Sequence, residues 1–120
     1  MSITVYGIPN CDTVKKARAW LGAKGLDYTF HDYKKQGADP AQIAGWIAAA
    51  GLDRIVNRAG TTWRKLDDAQ KAMLAGDDAP AVLAENPSVI KRPVVVHSGG
   101  LLVGFRESEW AEALLPQDAR

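Results

Sequence analysis

The sequence predicts an α/β fold with a mixed four-stranded sheet and an all-helical insertion between its strand-containing ends. Three observations predict it. A helical pattern between two strand-like segments near the N-terminus implies a βαβ unit with parallel strands. A succession of helix starts and stops from about 39 to 87 carries no strand signal. Near the C-terminus a β-branched run, a glycine-rich turn and a second apolar run imply an antiparallel hairpin, followed by one more helix.

Taken in order, Ile3, Val5 and Tyr6 around Thr4 read as a short strand, ended by Gly7 and Pro9. From Asp12, the residues Val14, Ala17, Trp20 and Leu21 recur at helical spacing, with Lys15, Lys16 and Arg18 on other faces. Lys24-Gly25 closes that helix. Leu26 to Tyr33 alternates again, with Tyr28 and Phe30 on one side and Thr29 and His31 on the other. Asp39-Pro40-Ala41-Gln42 is a helix start with Asp39 as N-cap and Gln42 completing a capping box. Ile43, Trp46, Ile47 and Ala50 form its buried stripe, and Gly51 stops it. Leu52 to Gly60 reads as a loop or short turn. Thr62 is placed to cap a helix carrying Leu66, Ala69, Met73 and Leu74, and Asp78 to cap a short one with Val82 and Leu83, ended by Asn86-Pro87. Pro93-Val94-Val95-Val96 reads as a buried strand, Ser98-Gly99-Gly100 as a tight turn and Leu101 to Phe105 as its partner strand. Glu107 to Leu115 closes with a helix burying Trp110, Ala111 and Leu114, and the residues from Pro116 read as a frayed tail. Two parallel strands, a hairpin and a final helix make the thioredoxin-like arrangement, here with a larger helical middle than that fold needs.

At 120 residues the chain is expected to be one domain, 1–120, with its own core and the insertion at about 39–87. Apolar residues make up 47% and charged residues 24%, which excludes a disordered or membranous class. A net charge of +1 gives no general reason to expect nucleic acid or an anionic membrane as partner. No basic stretch precedes an apolar one at Met1, so no signal peptide is expected, and no apolar run reaches membrane-spanning length. The single cysteine excludes an internal disulfide and a cysteine-based zinc cage, so no metal is expected and a reducing cytoplasm fits best. Monomer is the default state.

That cysteine, Cys11, follows the turn Ile8-Pro9-Asn10 and stands at a helix start. There the unpaired amides and the helix dipole favour a negative charge, which depresses a thiol pKa and exposes the reactive thiolate. The alternative is a small buried apolar residue, as most free cysteines are. On position alone the two readings weigh equally. Three arginines, Arg58, Arg92 and Arg106, lie at element ends rather than on exposed helical faces. Their planar forks of donors suit carboxylates and tetrahedral oxyanions, and near a thiolate they would lower its pKa. Taken singly, each reads as an ordinary surface arginine. Pro93 opens a strand, where a missing N–H does little harm. In the thioredoxin-like topology the proline at this place is typically cis and faces the cysteine loop. His31 and His97 read as structural strand residues and the four tryptophans as packing.

The segments ITVYGIPNCDTVKKARAWL, IVNRAG, ENPSVIKRPVVV and GFRESEW, in this order and spacing, resemble the ArsC/Spx family, most closely its YffB branch. The resemblance runs from about residue 3 to 115. It implies a thioredoxin-like fold with a helical insertion, with Cys11 as nucleophile and glutathione as the thiol co-substrate. It further implies that Arg58, Arg92 and Arg106 bind the anionic substrate, an oxyanion or a disulfide, and that Arg92 and a cis Pro93 meet glutathione. Two departures stand out. The family's arsenate reductases carry a histidine shortly before the cysteine, where this chain has Gly7. Its Spx regulators use a C-x-x-C switch, whereas Cys11-Asp12-Thr13-Val14 has no second cysteine. The leading expectation is a glutathione-dependent thiol oxidoreductase resembling arsenate reductase. The alternative is a Spx-like regulatory protein that binds RNA polymerase through its α subunit, without catalysis.

Overall fold

The computed structural model describes residues 2–115; the segment from Pro116, expected as a tail, lies outside them. The elements follow in the order β1 (Thr4–Gly7), α1 (Asp12–Ala23), β2 (Thr29–Asp32), α2 (Tyr33–Gln36), α3 (Pro40–Ala50), α4 (Leu52–Ile55), α5 (Thr61–Lys65), α6 (Asp68–Met73), α7 (Ala79–Glu85), a 3-10 turn (Pro87–Val89), β3 (Val94–His97), β4 (Gly100–Val103) and α8 (Glu107–Leu114). The described residues divide into two compact parts, residues 2–32 with 92–115, and residues 33–91.

The first part holds the sheet, in the order β2-β1-β3-β4. β1 pairs parallel with β2, Val5 opposite Phe30, and antiparallel with β3, Val5 opposite Val95. β3 and β4 form the expected antiparallel hairpin, with His97 opposite Gly100 across the turn. The parallel pair requires a crossover, and α1 supplies it. Its buried stripe is the expected one: Val14, Ala17, Trp20 and Leu21. Ala17, Trp20 and Leu21 join Ile3, Val5, Val95, Leu102, Trp110 and Leu114 in one core, with Leu26, Tyr28 and Phe30 packed against it. β2 begins at Thr29, later than the alternation from Leu26 suggested. At the C-terminal end Gly104 turns the chain with φ +75, its amide donating to the Pro93 carbonyl at 2.8 Å. The Gly104 carbonyl in turn accepts from Trp110 Nε1 at 3.0 Å. A side chain would be strained at that φ, so the glycine is what lets strand, turn and α8 meet there.

The second part is helical apart from one antiparallel bridge, Val56 to Ile90. α3 packs on α7 and α4, and Ile43, Trp46, Ile55, Val82, Leu83, Val89 and Ile90 are buried within this part. Asp39 caps α3 by accepting the Ala41 amide at 3.0 Å. The helical stretch begins at Tyr33, earlier than expected. The segment from Leu52, expected as a loop or short turn, holds one helical turn, α4, and a bridge at Val56. One expectation is corrected here. The helix expected from Thr62 is two helices, because Asp67 forms a complete capping box with Gln70: its carboxylate accepts the Gln70 amide at 2.7 Å, and its own amide donates to Gln70 Oε1 at 3.2 Å. The break at Leu66 leaves the Asp67 and Gln70 amides without intrahelical partners, and the box satisfies both at once. Met73, expected among the residues of that helix's stripe, is 41% exposed, while Leu74 beside it is buried.

Candidate active site around Cys11

Cys11 is the N-cap of α1, with extended backbone at φ −88 and ψ 126. Two backbone bonds hold it: its amide donates to the Ile8 carbonyl at 3.2 Å, and its carbonyl accepts from the Lys15 amide at 2.9 Å. The thiol is therefore set by the turn after β1 and the first turn of α1 together. It is only partly buried, so an electrophile can reach it.

The thiol pKa lies below its ordinary value. Burial, the largest single influence, pushes it up; the Val14 amide, a hydrogen bond from the Arg92 side chain, the Thr13 amide and the charge of Arg92 outweigh it together. The amides attract the sulfur without the geometry of a full cap hydrogen bond, as suits a large, soft acceptor at a helix N-terminus. Arg92 is half-buried and stands two residues before β3, and the Arg92-Pro93 bond is cis, as the resemblance leads one to expect.

Of the predicted site residues, the structure thus brings Arg92 to Cys11. Arg106 belongs to the same part of the chain and is the exposed N-cap of α8, its carbonyl accepting from the Trp110 amide at 2.9 Å. Arg58 belongs to the helical part, where it donates to Asp53 at 3.0 Å and lies 5.5 Å from the centre of the Trp63 ring. Asp53 is 90% exposed. An ion pair that exposed contributes about 1 kcal/mol or less, so Asp53 does not lock the guanidinium away from a stronger anion.

The histidines keep structural places. His97 Nδ1 accepts from the Gly99 amide at 3.1 Å in the hairpin turn, and burial lowers its pKa, which keeps it neutral. His31 lies against Tyr6 with ring centres 4.9 Å apart. Among the described residues no three His, Cys, Asp or Glu side chains come together as a metal site, and no helix is long and apolar enough to cross a membrane. Sequence reasoning missed the part played by the Thr13 and Val14 backbone, which has no side-chain signal, and a close approach of Val14 to Gly7. A glycine ending a strand just before a helix was the available hint.

Removing Arg92 tests this electrostatic arrangement. Arg92→Ala should raise the Cys11 pKa by about one unit, since a hydrogen bond to a charged group contributes roughly 1.5–3 kcal/mol and partial exposure reduces it. Alkylation of Cys11 at neutral pH would then slow about tenfold. An alkylation profile identical to that of the unmodified chain would remove Arg92 from the site.

Residues 6–113 match the family model described as the ArsC family. The chain belongs to the ArsC family. Among solved structures, a YffB protein shares 48% identity with a TM-score of 0.85, over 93% of this chain and 98% of its own. An arsenate reductase (ArsC) related protein from Brucella melitensis shares 42% identity with a TM-score of 0.72, over 97% of each chain. The global transcriptional regulator Spx of Streptococcus pyogenes is 26% identical over 121 residues, covering 98% of this chain and 88% of Spx. This ArsC-family chain therefore has a thioredoxin-like fold, and its relatives include arsenate-reductase-related proteins and Spx regulators.

Proposed function

We propose that this ArsC-family chain is a glutathione-dependent thiol oxidoreductase with Cys11 as its nucleophile. The observation that carries the reading is the partly exposed Cys11 sulfur at the N-terminus of α1, hydrogen-bonded by Arg92 and held below its ordinary pKa. A low-pKa thiolate with an accessible face is the attacking species in thiol–disulfide exchange. The Cys11 thiolate attacks the glutathione sulfur of a mixed disulfide, RS–SG. The S–S bond breaks, Cys11–S–SG forms, and the departing RS⁻ takes a proton from water. A second glutathione thiolate then attacks the glutathione sulfur of Cys11–S–SG, restoring the Cys11 thiolate and releasing oxidised glutathione. The substrate is thereby reduced by two electrons, and glutathione supplies both. A tetrahedral oxyanion such as arsenate is the other electrophile of this site.

In this scheme Arg92 stabilises the negative charge on sulfur, and with Arg106 it binds the anionic groups of glutathione or oxyanion. Glutathione supplies the second thiol that a chain with one cysteine lacks. Pro93, following Arg92, leaves the backbone at the start of β3 to meet the bound glutathione. No metal enters the scheme.

Incubation of the reduced chain with oxidised glutathione, followed by intact mass spectrometry, tests the proposal. One glutathione adduct, mapped to Cys11 and discharged by reduced glutathione, is expected. The absence of any adduct at neutral pH would reject the reading.

The similarity to Spx over 98% of this chain supports a second reading, a regulator that binds RNA polymerase without catalysis. That reading predicts capture of the chain by the C-terminal domain of the polymerase α subunit, unaffected by Cys11→Ser. Failure of the unmodified chain to bind that domain would dismiss it.

A further inference from the structure

Gly7 is the last residue of β1, pairs with Asp32 of β2 and is buried. A Cβ at this position would stand 3.0 Å from Val14 Cγ2 and 3.5 Å from Val14 Cγ1. The first of these is tighter than nearly all real Cβ contacts, so Val14 would have to give by a few tenths of an ångström. Gly7 does not have a positive φ, so its backbone dihedrals would accept any residue. What the position demands is space. Val14 has no easy retreat: it is fully buried and β-branched, with a stiff χ1 in a helix and neighbours packed at interior density. A side chain at position 7 would therefore displace the first turn of α1 rather than rotate a side chain aside.

That turn is the part of the helix that meets the thiol. Val14 is the third helical residue, and its amide is the foremost of the attractions drawing negative charge onto the Cys11 sulfur. Cys11 itself is tied to the strand end through Ile8 and to the helix through Lys15. A shift of a few tenths of an ångström between β1 and α1 is thus delivered to the sulfur and its amide donors from opposite sides.

We propose that Gly7 is a positioning residue of the thiol site: lacking a Cβ, it lets Val14 close onto the end of β1, and that seating fixes where the first-turn amides stand relative to the Cys11 sulfur. The inference rests on the reading of Cys11 as a reactive thiolate. The other charged group that reaches the sulfur is Arg92, ahead of β3, and the neighbouring carboxylate on α1 is Asp12. Neither residue is itself substituted when Gly7 is changed.

The test measures the pH midpoint of Cys11 alkylation by iodoacetamide, alongside thermal unfolding, in four chains: unmodified, Gly7→Ala, Val14→Ala and the double variant. Gly7→Ala should raise the midpoint and slow alkylation at neutral pH about threefold or more, half a pKa unit being about a threefold change. In the double variant the shortened residue at position 14 leaves room for the new Cβ, so the midpoint should return to that of Val14→Ala alone. A lowered melting temperature with an unmoved midpoint in Gly7→Ala would show a purely structural role and overturn the inference. So would a midpoint that stays raised in the double variant, which carries the test by itself if Gly7→Ala does not fold. An ordinary thiol midpoint in the unmodified chain would instead dispose of the reactive-thiolate reading, and the inference with it.

Discussion

If Cys11 carries the proposed thiol chemistry, Cys11→Ser should leave the fold intact and abolish both the glutathione adduct and any thiol-reductase turnover. The substitution is nearly isosteric at a partly exposed N-cap, and serine is itself a favoured N-cap residue, so α1 should lose nothing by it. Its hydroxyl has no accessible anion at neutral pH and no sulfur to exchange. The chain holds no other cysteine that could take over, so residual activity above background would mean the chemistry lies elsewhere. Thermodynamic linkage adds a second readout. The folded pKa of Cys11 lies below the ordinary value of 9.0, so the folded chain releases the proton before the unfolded one does. The resulting stabilisation is fully present above the unfolded pKa and is lost as pH falls through the folded pKa. The stability of the unmodified chain relative to Cys11→Ser should therefore rise between those two pKa values, and denaturant unfolding of both across that interval measures it. A difference independent of pH would contradict the lowered pKa.

Trp110→Ala produces the largest loss of stability, about 3–5 kcal/mol. Trp110 is fully buried and has edge-to-face neighbours in Phe105 at 4.8 Å and Trp20 at 6.0 Å. Truncation removes the transfer energy of the indole and opens a cavity between α1, α8 and the turn after β4. It also strands the Gly104 carbonyl, which accepts from Trp110 Nε1. Against a typical total of about 5–15 kcal/mol, this brings the chain to the edge of unfolding. Trp110→Phe separates the two contributions: it keeps an aromatic ring but leaves the carbonyl unpaired, and should cost about 1–3 kcal/mol. Urea unfolding of both variants measures the effect. An alanine variant within 1 kcal/mol of the unmodified chain would mean that Trp110 is not a keystone of this core.

The fold was largely legible because its signals are local and redundant. The stripe Val14, Ala17, Trp20 and Leu21 is periodic enough to place α1, and a helix between two short strands leaves parallel pairing as the simple solution. Ser98-Gly99 permits only an antiparallel return between β3 and β4. The helical middle was less legible. There the helix expected from Thr62 already begins at Thr61, and Asp67, finding Gln70 in register, starts a second one at Asp68.

Cys11, alone of its kind and placed between strand and helix, was identifiable as the candidate thiol from the sequence by itself. So were the arginines at element ends, because type and position along the chain suffice to mark them. Which arginine reaches the sulfur was decided only by the tertiary structure. Arg92 lies 81 positions beyond Cys11, and only the pairing of β3 against β1 brings its end of the strand to the thiol loop. The place of Gly7 was decided in the same way. A glycine carries no side-chain signal, and the meaning of this one lies in the Val14 methyl groups that would meet a Cβ. Local pattern selects the elements, since backbone propensity and periodicity act over a few residues. The charge on Cys11 depends on groups distant in sequence and close in space, and folding is what gathers them.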